Sequence, residues 1–219
     1  MIRNLDSIQQ QIPASVRLVA VTKKVSVEAM RVAYAAGIRD FGENRLQEAL
    51  AKQEQLQDLT DIRWHFIGHL QSNKAKQALQ HFQWIQSCDS LKLAQRLNRL
   101  AEELSCCPNL CLQVKMLPDP SKYGWTVEQL WQDLPLLDAC EHLKVKGLMT
   151  ILPLGLSHSE TLAAFNAMGD LATEINQKPW SSLQLQELSM GMSGDYPLAI
   201  QAGATMVRLG RILFGERNT

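Results

Sequence analysis

The chain has 219 residues, 46% apolar and 20% charged, and its 22 Lys plus Arg balance 22 Asp plus Glu. This is ordinary globular composition at a length that fits one large domain or two small ones, and a zero net charge excludes the basic excess of a typical nucleic-acid binder. Five cysteines without a C-x-x-C pair argue against a disulfide framework and for a reducing compartment, while the polar start "MIRNLDSIQQQIP" and the absence of any long apolar run exclude a signal peptide and a membrane helix. The reading is a cytoplasmic protein.

In chain order, a helix over 2–11 comes first. The apolar run 17–22, "RLVAVT", reads as a strand and ends at two adjacent lysines, Lys23 and Lys24. Lysine is rarely buried without a partner, so this strand end raises the question of what the two amines face. A helix over 26–36 and a strand at 39–41 follow. "FGENR" then puts Glu43 and Asn44 ahead of a helix over 44–57, where Asn44 suits a helix cap as well as a site. Strand 63–67 runs into "WHFIGHLQSNK". Its His65 and His69 straddle a strand end and a glycine, with no carboxylate or cysteine completing a ligand set, so no metal is expected.

A helix over 72–80, a strand at 83–87, a helix over 90–105 and a strand at 109–115 come next. "DPSKYGW" leaves Lys122 in the loop that follows, either solvated or as a second amine near a site. The rest reads as a helix over 126–139, a strand at 143–149, a helix over 158–177, a strand at 185–189, a helix over 195–202 and a strand at 206–209. The five tryptophans are scattered and read as core or half-buried positions.

Strands alternating with helices imply a parallel sheet with right-handed crossovers. Eight of them fit a single (β/α)₈ TIM-type barrel over 1–219, with an extra N-terminal helix. The rival is a doubly wound open sheet, which usually carries a glycine-rich turn after its first strand; here that strand ends in "TKK". A barrel places its site at the carboxyl ends of the strands, and so places the lysines at the functional face. Alternation puts Lys23 with Val19 and Val21, and Lys24 with Ala20 and Thr22. Both sets are apolar, so periodicity leaves the choice open.

The stretch "LSMGMSGDYPLAIQAGATMVRLGRILFG", 188–215, supplies a small-residue loop (Ser189, Gly191, Ser193, Gly194) and Gly210 after the last strand. Loops after strands seven and eight are a frequent phosphate site in this fold, and the alternative is a set of plain turn glycines. A phosphate anchor beside a strand-end lysine suggests pyridoxal 5′-phosphate, whose aldehyde forms a Schiff base with lysine. Arg208 in "MVRLG" would then donate to the pyridine nitrogen without protonating it, or else pair with Glu187 or another nearby carboxylate.

Six segments in this order, "AVTK", "FGENR", "WHFIGHLQSNK", "SKYGW", "LSMGMSGD" and "VRLGRILFG", resemble the pyridoxal-phosphate homeostasis protein family, also called the YggS or PROSC family, over nearly the whole chain. The resemblance implies a fold-type III barrel like the N-terminal domain of alanine racemase, with pyridoxal 5′-phosphate (PLP) as cofactor. It implies Lys23 as the Schiff-base lysine and Arg208 at the pyridine nitrogen. Ser189 and Met190 would meet the phosphate, with Gly210 and Arg211 acting mainly through backbone. Asn44 would lie beside the ring and Met149 would wall the site. The implied role is vitamin B6 homeostasis and amino/keto acid balance without a defined reaction, in a monomer that buffers PLP or delivers it to PLP-dependent apo-enzymes.

Alanine racemase needs a further C-terminal domain for a second acid/base, and few residues follow "LGRILFG", so the expectation is open binding with poor catalysis. The alternatives are a weak PLP-dependent racemase or lyase using the same Lys23, and a barrel for another phosphorylated metabolite with Lys23 as a plain cation.

Overall fold

The structure, a computed structural model, describes residues 5–215. After α1 (Leu5–Gln11) the first half runs β1 (Arg17–Val21), α2 (Val27–Ala35), β2 (Asp40–Glu43), α3 (Leu46–Gln55), β3 (Arg63–Phe66), a 3₁₀ turn at Ser72–Lys74, α4 (Ala75–His81), β4 (Trp84–Cys88) and α5 (Leu91–Glu103). The second half runs β5 (Asn109–Gln113), α6 (Val127–Asp138), β6 (Lys144–Met149), α7 (His158–Asn176), β7 (Glu187–Ser189), α8 (Tyr196–Gln201), β8 (Met206–Leu209) and α9 (Arg211–Phe214). The eight strands pair in sequence order, all parallel, and β8 returns to β1 to close the barrel.

The chain takes this form because its strands are apolar on both faces, as parallel strands covered by helices must be. Outward residues such as Ala20, Phe41, Ile85, Leu110, Leu148 and Val207 join the helices in one continuous core. Helix α5 buries Leu93, Ala94, Leu97, Leu100 and Ala101 on one face, a 3.6-residue spacing. Local signals agree: Ser26 and Ser90 cap α2 and α5, and Thr126–Gln129 and Ser157–Glu160 form capping boxes on α6 and α7.

The inside of the barrel is unusual. Barrels of this type generally fill with branched apolar side chains. Here a small apolar cluster of Trp84, Cys111, Met149 and Met206 shares the interior with the buried Asp40, His65, Gln86, Ser189 and Arg208.

Element boundaries shift from the sequence expectation for local reasons. Strand β2 extends to Glu43 because it pairs in register with β3 through Glu43↔Phe66. Strand β7 starts later than 185 because the Asn176 side chain takes both the N–H and the C=O of Leu185. The short helix α9 was not anticipated. Residues 2–4 of the expected first helix lie outside the described residues. Among the described residues, no helix is long and apolar enough to cross a membrane.

Gly147 in β6 faces Glu187 of β7, and a Cβ built there would lie 1.8 Å from the Glu187 carbonyl oxygen. Gly147→Ala should therefore force the two strands apart and cost about 3 kcal/mol in urea unfolding. An unchanged midpoint would show that the β6–β7 contact is looser than it stands.

Candidate functional site

The turn after β1 is built to hold two lysines differently. Thr22 is buried; its N–H donates to Gly42 O, and its hydroxyl donates to Glu43 Oε1 at 2.6 Å. Lys24 then adopts φ 59°, a left-handed conformation uncommon outside glycine. Its N–H donates to Glu48 Oε1, and Val25 N–H closes the turn on Thr22 O. The result leaves Lys24 exposed and Lys23 half-buried at the barrel mouth.

Behind this turn sits a third lysine. Lys52 Nζ donates to Thr22 O (2.7 Å), Glu43 Oε1 (2.8 Å) and Glu48 Oε1 (2.6 Å), which uses its three N–H groups. Glu43 is fully buried and its Oε2 has no partner among the described residues. Burial raises the Glu43 pKa despite the hydrogen bonds from Lys52 and Thr22. Burial pushes Glu48 the same way, but Lys52 and the Lys24 N–H overcome it and hold that carboxyl below its usual range.

The mouth itself is a cavity of about 740 Å³ at the carboxyl ends of the strands. Among the described residues, Lys23, Lys122, Arg208 and Arg211 line it, against a single carboxylate, Asp195, whose Oδ1 already accepts from Met192 N–H. The cavity thus carries an excess of positive charge in a protein whose net charge is zero.

Arg208 forms the floor. It is buried; Nη1 donates to Ser189 Oγ and Nη2 to Thr150 O, both at 2.7 Å. Two of its five N–H groups are so committed within the described residues, and the others remain for whatever occupies the cavity. Burial pulls its pKa down to about 10, which leaves it charged near neutrality.

On one wall, the loop 192–194 meets the start of α9. The N–H groups of Gly210 and Ile212 both point at Ser193 Oγ, 3.4 Å away. These long contacts gather two backbone donors and a hydroxyl beside Gly194 and Arg211. Opposite, Gly68 presses so closely on Asn44 that a Cβ would meet its carbonyl oxygen at 2.3 Å. At the rim, the rings of His69 and Tyr123 stack with centroids 3.7 Å apart, and His69 Nδ1 contacts Asp89 Oδ2 at 2.7 Å.

Residues 1–218 match the profile described as "Alanine racemase, N-terminal domain". A pyridoxal phosphate homeostasis protein from Synechocystis sp. is 58% identical over 206 residues, 94% of each chain. The chain belongs to the pyridoxal phosphate homeostasis protein family. Its member PipY from Synechococcus elongatus superposes with a TM-score of 0.94 without PLP, at 52% identity over 98% of this chain and 100% of that one. PipY with PLP bound gives 0.93 at 51% identity, over 98% and 99%. Alanine racemase from Clostridium difficile, at 16% identity over 99% of this chain and 59% of that one, shares the fold with a TM-score of 0.79.

Against this family frame, the sequence-derived residues divide. Lys23, Asn44, Arg208, Gly210 and Arg211 line the cavity. Ser189, Met190 and Met149 do not. The Ser189 hydroxyl lies beneath Arg208, accepts from it and donates to Gln86. Met190 turns outward into the helical core and its N–H donates to Met206 O. Met149 belongs to the inner apolar cluster below the mouth. The pairing considered between Arg208 and Glu187 is absent; Glu187 meets Arg17 at 3.3 Å.

Sequence reasoning passed over Ile67, Gly68, Tyr123, Ile151 and Met192 as lining residues, and placed Ser193 only as one member of the small-residue phosphate loop. The repeated serine in "SMGMSGD" was the available signal. No cluster of three metal-ligating side chains occurs among the described residues.

Lys52→Met removes the cation beside Glu43 and leaves a buried carboxylate, which should cost about 3–5 kcal/mol. Losing Lys52 also raises a Glu43 pKa that burial already raises. A carboxyl with a raised folded-state pKa is penalised above that pKa and relieved below it. The loss measured by urea unfolding should therefore shrink from pH 8 to pH 5. An equal loss at both would remove Glu43 from the account.

Proposed function

We propose that this chain binds PLP in the barrel mouth and holds it for exchange within cellular vitamin B6 homeostasis, without a reaction of its own. The observation that carries this is the cavity lining: among the described residues, four basic side chains against one carboxylate, with a strand-end lysine, a buried arginine and a hydroxyl-and-backbone donor group together. That set fits the ligand. A dianionic phosphate suits Ser193, Gly194 and the N–H groups of Gly210 and Ile212, with Arg211 adding charge. A pyridine nitrogen suits Arg208, and an aldehyde suits Lys23. Asn44, held against Gly68, would flank the ring.

When bound, PLP supplies an aldehyde that condenses with an amine and a ring that can draw electrons from the attached carbon. The chain's own groups limit the second property. Arg208 keeps its protons at working pH, so it donates a hydrogen bond and transfers no proton. Lys23 sits half-buried at the cavity, where its amine can meet the aldehyde.

The non-catalytic reading draws on the homeostasis role in the names of the relatives and on the donor-only character of Arg208. In this reading the protein is a cytoplasmic monomer and PLP-dependent apo-enzymes receive the cofactor.

Lys23→Ala should abolish the visible absorption band that a lysine-linked cofactor gives, while Lys24→Ala should keep it. Loss of the band in the Lys24 variant alone would reverse the assignment. Incubation of the loaded protein with L- and D-alanine should show no sustained α-proton exchange; turnover at roughly 1 s⁻¹ or faster would make it a racemase or lyase.

Ser193→Ala should weaken PLP retention roughly 10-fold, the value of one hydrogen bond to a charged group, and pyridoxal without its phosphate should bind poorly to the wild type. Equal retention of pyridoxal and PLP would move the phosphate away from this loop.

A further inference from the structure

Beneath the mouth, buried polar groups connect Arg208 to the opposite end of the barrel. Arg208 Nη1 contacts Ser189 Oγ at 2.7 Å, and Ser189 Oγ contacts Gln86 Oε1 at 2.6 Å. Gln86 Nε2 contacts His65 Nδ1 at 2.8 Å, and His65 Nε2 contacts Asp40 Oδ1 at 2.9 Å. Asp40 is held from below by Arg63, through Nε at 2.8 Å and Nη2 at 2.6 Å, and lines a second cavity of about 550 Å³ at the amino ends of the strands.

We propose that Asp40, His65, Gln86 and Ser189 are positioning residues that together fix the donor direction of Arg208 toward the cavity. The proposal rests on the cofactor reading above for its functional consequence.

The direction of every link follows from the first. A guanidinium only donates, so the Ser189 oxygen accepts and its single hydrogen goes to Gln86 Oε1. The reverse amide orientation would leave that hydrogen without an acceptor among the described residues. The Gln86 amide nitrogen therefore faces His65 Nδ1, which must be unprotonated. The imidazole hydrogen then sits on Nε2 and donates to Asp40. A second proton on His65 would set two N–H groups against each other.

The surroundings agree with a neutral imidazole beside a charged carboxylate. His65 has no exposure and stacks on Trp84, with ring centroids 5.6 Å apart. Burial lowers its pKa and the Arg17 and Arg63 charges add to that, while Asp40 alone opposes them. Burial would raise Asp40, but hydrogen bonds from His65 and Arg63 outweigh it and hold its pKa at about 2. The contact is a charge-assisted hydrogen bond from a neutral ring.

The consequence lies at the mouth. Among the described residues, Arg208 has neutral acceptors and no carboxylate at hydrogen-bond distance. The aligned dipoles of Ser189, Gln86 and His65 carry the influence of the Asp40 charge to it. With one N–H tied to this column and one to Thr150 O, the guanidinium cannot swing, and its remaining donors keep one aim.

The test breaks the column where it touches no ligand. Gln86→Met roughly conserves volume and removes both links; Gln86→Glu still accepts from Ser189 and accepts a proton-bearing Nδ1 from His65. In ligand-free wild type, nitrogen NMR should find His65 as the Nε2–H tautomer and slow exchange of the Arg208 side-chain N–H groups. Gln86→Met should speed that exchange, weaken PLP binding roughly 10-fold and shift the visible absorption of bound PLP. Gln86→Glu should restore affinity and show His65 as an imidazolium.

Should Gln86→Met fail to fold, Ser189→Ala, which cuts the column without burying a charge, gives the same readouts. An Nδ1–H tautomer in the wild type would overturn the column. So would a folded Gln86→Met or Ser189→Ala variant with unchanged Arg208 exchange, PLP affinity and absorption. A wild type that takes up no PLP would sink the cofactor reading, and the tautomer with the Arg208 exchange would then decide the column alone.

Discussion

The mouth of this barrel is organised around one costly placement: a guanidinium, Arg208, that is 4% exposed and, among the described residues, donates to neutral acceptors only. Taking a charge out of water without a direct counter-charge costs several kcal/mol. Ser189 and Thr150 return part of that as hydrogen bonds, and the Asp195 charge adds to it from a distance. The rest is left to whatever occupies the cavity, which makes Arg208 a standing demand for an acceptor. The interior reflects the same choice. Positions that could hold branched apolar layers instead carry a polar column beside Trp84, Cys111, Met149 and Met206.

Three lysines near the end of β1 show how one residue type is put to different uses. Lys52 is buried and its three N–H groups are spent on Thr22 O, Glu43 and Glu48, so its charge is neutralised in structure. Lys24 is exposed, and its backbone does the work, bending the chain through a left-handed conformation tied to Glu48. Lys23 is left half-buried at the cavity. The strand can end in a lysine at the functional face because another lysine behind it fixes the turn.

The barrel was legible because each strand is a short apolar run and each helix carries its own cap and apolar stripe; those signals are local. The site was legible only in part. Arg208, Gly210 and Lys23 sit at strand ends, where the fold itself directs attention. Strand parity placed Lys23 with Val19 and Val21 but could not say that this side faces the mouth, since both sides are apolar and both are buried. Ser189 opens the small-residue loop that, with Ser193, reads from sequence as a phosphate site. Parity sends its hydroxyl inward under Arg208, and the phosphate-like donors gather four residues later at Ser193. The column was invisible for another reason. Asp40, His65, Gln86 and Ser189 come from four strands, the last two 103 positions apart, and each alone reads as an ordinary polar strand position.

Strand β2 joins the two halves of the site. Its four residues, "DFGE", pair with β1 on one side and β3 on the other. Asp40 points into the barrel and anchors the column that ends at Arg208. Glu43, three positions on and so on the opposite face, points out and anchors Lys52 and Thr22 behind Lys23. Between them Gly42 leaves room on the inner face: a Cβ there would crowd Val19 at 3.1 Å and Ile67 at 3.3 Å. A slip of one residue would turn Asp40 into the helical layer and Glu43 into the barrel, and both supports would be lost together. The amine end and the ring-nitrogen end of the proposed ligand are therefore held through one short strand that touches neither, and the register of β2 between β1 and β3 sets the geometry of the mouth.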